Sequence, residues 1–156
     1  MNEIDHNEIQ HEVAPACDAY ELIETLMRAG RHVEWQLDAA LAPAGLSAAK
    51  WNALRHLMES GGQLSLGGLA ARLSCVKSNA TQLVDRLETE KLVCRTPDAD
   101  DRRSVRAEIT SAGREAYTTG LQIVQWFEQQ LLDGYSSEEQ QVLRRLLEQL
   151  TTFAVR

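Results

Sequence analysis

The chain has 156 residues, 44% hydrophobic and 25% charged, with nine glycines and three prolines; this excludes collagen-like and disordered classes and allows a core without disulfide or metal staples. Its net charge of −7 argues at first against a polyanionic partner, because nucleic-acid affinity rests on Lys and Arg neutralising phosphates. The charge is unevenly spread, however: residues 1–62 carry −6 and 111–156 carry −2, whereas 63–110 carry +1 and hold half of the Lys and Arg.

No apolar run approaches the roughly 20 residues of a membrane helix. The first residues, MNEIDHNEIQHEVAPA, lack the basic and apolar regions of a secretion signal. A cytoplasmic protein with no membrane partner is expected. Cys17, Cys75 and Cys94 form no C-x-x-C pair and are expected as reduced thiols. His6, His11, His32 and His56 are scattered without ligand spacing, so neither a metal nor a cofactor is expected.

In chain order, residues 1–16 read as a polar arm. Leu22/Ile23, Leu26/Met27, Val33, Leu37 and Ala40/Leu41 recur at helical spacing and predict one long helix ending at Pro43 and Gly45. Ser47 is placed to cap a second helix with Trp51, Leu54, Leu57 and Met58 on one face, broken by Gly61 and Gly62. Ser65 is a third candidate cap, opening a short helix from Leu66 to Leu73.

The turn Ser74-Cys75-Val76 leads into a helix from about Lys77 to Glu90, with Ala80, Leu83, Val84 and Leu87 inward and the rest polar. Two helices joined by a tight turn, the second rich in hydrogen-bonding groups on its outer face, make a helix-turn-helix candidate. Leu92–Thr96 and Ser104–Ile109 predict two strands around Pro97-Asp98-Ala99-Asp100-Asp101, a hairpin tipped by Arg102 and Arg103. Thr110 then caps a long helix striped with Tyr117, Leu121, Val124, Phe127 and Leu131 and ended by Gly134. Ser136 and Glu139 form a capping box before a last helix with Leu143, Leu146, Leu147, Leu150 and Phe153.

The run LSLGGLAARLSCVKSNATQLVDRLETEKLVCRTPDADDRRSVRAEITSAG resembles the core of the MarR family of regulators, in the order LAARL, LVDRLE, LV, DDRRS, IT and AG. The resemblance is best over residues 63–113 and extends to the flanks as architecture. It implies a mainly α fold with a small β-hairpin wing: a winged helix-turn-helix DNA-binding lobe at 45–110. The long helices at 17–44 and 111–156 would then form an all-helical dimerisation lobe. A homodimer bound to a pseudo-palindromic duplex DNA site follows from that architecture. One departure is Val76, where many relatives place a capping serine; Ser74 and Ser78 are the candidate substitutes.

Side chains near the start of a recognition helix meet base edges in the major groove. Lys77, Ser78, Asn79, Thr81 and Gln82 occupy that stretch, and their amides, hydroxyls and ammonium suit base readout. Two readings stay open for Arg86, a phosphate contact or an ion pair to the wing or a neighbouring helix. Arg102 and Arg103 are candidates for the minor groove, with Asp100 or Asp101 steadying one guanidinium.

The resemblance also implies release by an effector, often an aromatic or phenolic acid held between the lobes. Arg31, Trp35, Trp51 and Arg55 fall near the corresponding helices, against the alternative of core tryptophans with surface arginines. Cys17, near the start of the first helix, is the candidate for a thiol-based redox sensor of the same fold. No Gly-rich phosphate loop, nucleophile elbow or H-E-x-x-H supports an enzyme. A winged-helix protein-interaction module is the remaining rival.

Overall fold

The computed structural model describes residues 19–98 and 105–152. Two compact units divide inside the first helix, α1 (Ala19–Leu41), between Trp35 and Gln36. Up to Trp35 the described side chains are largely exposed, including Tyr20, Leu22, Ile23, Leu26, Met27 and Trp35. The His32 and Trp35 rings lie 6.2 Å apart.

The second unit carries the core. Pro43 sits in a 3-10 turn, Ala42–Ala44, closed by Gly45 at φ 71°. Helix α2 (Ala48–Glu59) then starts on two caps: Ser47 Oγ accepts from Lys50 N at 3.2 Å, and Asp38 Oδ1 accepts from Ala48 N at 2.6 Å. Helices α3 (Leu66–Arg72), α5 (Ser111–Leu132) and α6 (Ser137–Thr151) begin on Ser65, Thr110 and Ser136, each accepting a backbone N–H of the first turn. The Ser136–Glu139 capping box forms as expected.

Helix α4 (Lys77–Thr89) is the exception. Val76 occupies its N-cap without a side-chain bond, and neither Ser74 nor Ser78 substitutes. The reason is local: α3 ends in a Schellman turn, with Cys75 N donating to Ala70 O and Ser74 N to Ala71 O, which commits Ser74 to φ 51°. Ser78 already lies inside the first turn.

The wing is more than a hairpin. Strands β2 (Val93–Pro97) and β3 (Val105–Ile109) pair antiparallel as expected, but β1 (Gln63–Ser65) pairs with the other edge of β3, giving the order β1-β3-β2. Ala107 faces both Leu64 and Arg95 in register. A three-residue strand leaves no periodic signal, and Ser65 is both its last residue and the cap of α3.

Leu54 and Leu57 of α2, Leu69 of α3, Val84 and Leu87 of α4, and Val93, Ala107 and Ile109 of the sheet close one core. Two glycines permit its close contacts with α5. A Cβ on Gly113 would lie 2.0 Å from Leu92 O, and one on Gly120 would lie 2.3 Å from Trp51 Cδ1. Beyond Gly120, α5 and α6 leave Trp126, Leu131, Val142, Leu143, Leu146, Leu147 and Leu150 exposed, and α6 buries no described residue.

Candidate nucleic-acid interface

The apolar face of α4 turns Ala80, Val84 and Leu87 into the core. The period of 3.6 residues therefore sends Asn79, Gln82 and Arg86 outward together, and Lys77, Ser78, Asn79, Gln82 and Arg86 are all exposed. Thr81 differs from its expected role in part: it is half-buried, and its Oγ1 donates to Lys77 O at 2.9 Å. Its hydroxyl hydrogen is committed to the helix, leaving the oxygen as an acceptor.

The ion pair expected between recognition helix and wing exists, but Arg86 does not make it. Arg95 on β2 reaches Asp85 Oδ1 and Glu88 Oε2 of α4, both at 2.5 Å, and its backbone N donates to Glu88 Oε1 at 3.2 Å. The Asp85 hydrogen bond raises the Arg95 pKa above its ordinary value; burial opposes this, and the charges of Asp85 and Glu88 add to it. These carboxylates therefore favour the charged guanidinium. Among the described residues Arg86 has no ion-pair partner and keeps its charge outward.

At the other end of α4, Lys50 Nζ of α2 pairs with Glu90 Oε1 at 2.6 Å and donates to Gly45 O at 3.3 Å. The helix is thereby held at its C-terminal half from two sides, by α2 and by the sheet. At the wing root, Arg106 Nη1 lies 3.6 Å from Asp98 Oδ1. Sequence reasoning missed Arg95, Lys50 and Arg106 because each pairs with a carboxylate distant in sequence or across a turn. Asp101, Arg102, Arg103 and Asp100 lie outside the described residues, as does Cys17.

Trp51 and Arg55 come together, with the guanidinium carbon 5.9 Å from the indole centroid. The indole is 7% exposed, stacks on Tyr117 at 6.2 Å, and donates Nε1–H to Tyr117 O at 3.4 Å. Arg55 bonds Glu59 at 2.9 Å and Asn52 at 3.4 Å, and lies 3.4 Å from His56 Nε2. Arg31 and Trp35 belong to the first compact unit. Cys75 is half-buried and Cys94 exposed, both as free thiols. No group of three or more His, Cys, Asp or Glu residues suited to a metal occurs among the described residues.

A short helix, a tight turn, an outward polar helix and a three-stranded wing define a winged helix-turn-helix, the fold of a DNA-binding regulator. Known proteins agree. A sequence profile of the MarR family matches residues 44–104. The HTH-type transcriptional repressor Rv2887 of Mycobacterium tuberculosis is 29% identical over 125 residues, 80% of this chain and 89% of the repressor. A mutant MarR from E. coli complexed with operator DNA superposes with a TM-score of 0.73 at 25% identity, covering 85% of this chain and 98% of that one. Bordetella bronchiseptica BpsR, whose DNA binding is regulated by 6-hydroxynicotinic acid, shares the fold with a TM-score of 0.81 at 20% identity, over 90% of this chain and all of that one.

Residues 44–104 are thus similar to the MarR family, and the proteins that the chain resembles are transcription regulators, one of them seen on operator DNA. Among the described residues no helix is long and apolar enough to cross a membrane.

Proposed function

We propose that the protein is a cytoplasmic repressor that binds a pseudo-palindromic operator as a homodimer and is released by a small aromatic effector. The observation that carries the DNA-reading part is the outward face of α4, where Lys77, Ser78, Asn79 and Gln82 are exposed while the opposite face is locked in the core. These side chains, with the acceptor oxygen of Thr81, would read base edges. Arg86 would meet a phosphate, and Arg102 and Arg103, with Asp100 or Asp101 steadying one guanidinium, would enter the minor groove.

The homodimer is supported by apolar side chains without cover. Leu143, Leu146, Leu147 and Leu150 of α6 are each more than 40% exposed, and burying one leucine is worth about 1.5–3 kcal/mol. A second copy would cover such a face and set two recognition helices about one DNA turn apart. The repressor role is supported by the similarity to Rv2887. The absence of a membrane-crossing helix among the described residues fits a cytoplasmic site of action.

For the effector, Trp51 with Arg55 would supply an aromatic wall and a cation. The Arg55 guanidinium is already bonded to Glu59, so an effector carboxylate would act by displacing that partner. Such a displacement would loosen α2, which also carries Lys50. Gel shifts of the promoter DNA flanking its gene, across a salt series and with added aromatic acids, test the whole reading. Retention at low salt, a log–log salt slope of several units, and release by an aromatic acid are expected. No retention at low salt would favour the protein-interaction module instead.

A further inference from the structure

Four α-helices of this protein open on a serine or threonine whose oxygen accepts a first-turn N–H, at Ser47, Ser65, Thr110 and Ser136. Helix α4 opens on Val76, whose side chain cannot accept anything. Val76 is also 64% exposed, and among the described residues between Ala48 and Ile109 the one other exposed large hydrophobic is Val105, at 38%. A branched apolar side chain in water gains nothing from solvation, and at an N-cap it forgoes a stabilising hydrogen bond. Two local costs fall on one residue, the one directly before the stretch Lys77–Gln82.

We infer that Val76 is a specificity-determining residue that packs against the C5-methyl group of a thymine in the operator. The inference rests on α4 reading the major groove, and it adds what the polar residues cannot supply. The thymine methyl is the apolar feature that the major-groove edge of a base pair presents, and it is met by apolar side chains. The N-terminal residues of a recognition helix are those that reach base edges.

A protein partner would need an apolar patch around Val76. Its neighbours Lys77, Ser78 and Asn79 are exposed and polar, and Leu73 and Cys75 are half-buried. The surroundings suit a single methyl contact flanked by hydrogen bonds.

The test starts with duplexes that the full-length wild-type protein recovers from a randomised pool. Each thymine of the recovered site is replaced singly by deoxyuridine, which removes only the methyl, and affinities are measured for wild type, Val76→Ala and Val76→Ser. At one thymine per half-site the wild type should lose about fourfold, the factor for one methyl leaving an apolar contact. Val76→Ala should show no loss there, and the proteins should respond alike at every other thymine.

Val76→Ser should melt about 3 °C higher than wild type, because the new hydroxyl caps α4, and should still lose the thymine preference. Equal sensitivity of wild type and Val76→Ala at every thymine would overturn the role of Val76 alone. Recovery of no DNA would overturn the DNA-reading assignment of α4 together with it.

Discussion

Replacing Arg95 by Met removes the tie between the recognition helix and the sheet while keeping the side chain's apolar stem. The Arg95 side chain is 27% exposed, and its guanidinium is bonded to two carboxylates at 2.5 Å. Partly exposed pairs contribute about 0.2–1 kcal/mol each, so the well-formed double pair should be worth about 1–2 kcal/mol. The Tm should fall by about 4 °C for a chain of this size. DNA affinity should fall as well, because Asp85 and Glu88 lose their compensating cation on the helix proposed to meet DNA. Two bare carboxylates about 10 Å from a phosphate cost roughly 0.4 kcal/mol each in water, or about fourfold together at low salt.

Thermal melts and fluorescence-anisotropy titrations of Arg95→Met, Glu88→Gln and the double variant would measure the coupling directly, expected at about 1 kcal/mol. Arg95→Lys keeps the charge but not the planar fork, and should recover less than half of the stability lost in Arg95→Met. Additivity within about 0.3 kcal/mol would refute the clamp. Full rescue by lysine would reduce it to a matter of net charge.

Gly113→Ala should destabilise by about 3 kcal/mol or more in chemical denaturation, because its Cβ would meet Leu92 O at 2.0 Å and Ile109 Cγ1 at 2.7 Å; a change below 1 kcal/mol would contradict the packing of α5 on the sheet. Arg103→Ala should weaken DNA binding and flatten its log–log salt dependence by about one unit, and an unchanged slope would remove that wing residue from phosphate contact. Leu146→Glu, on the exposed face of α6, should convert a dimer to monomer in analytical ultracentrifugation while the monomer keeps its helical circular dichroism. Persistence of the dimer would move the interface elsewhere.

Most of the element order was legible in the sequence because its signals are local. A cap needs one residue and the N–H groups two or three positions on, so Ser47, Thr110 and Ser136 could be read directly. The inward set Ala80, Val84 and Leu87 follows from helical period alone, and it leaves the outward face of α4 as its complement. The order of motifs from LAARL to DDRRS carried the family resemblance.

What tertiary structure alone decided is whatever pairs residues far apart in sequence or pits two local preferences against each other. β1 is too short to announce itself and exists because the free edge of β3 can accept it. Ser74 is spent on the Schellman turn, so the helix after it begins uncapped on Val76. Arg95 joins Asp85 and Glu88, and Lys50 joins Glu90, only because the sheet and α2 fold against opposite ends of one helix. Charge type can be read along a chain, but a charge's partner is set by proximity, which the packed core creates.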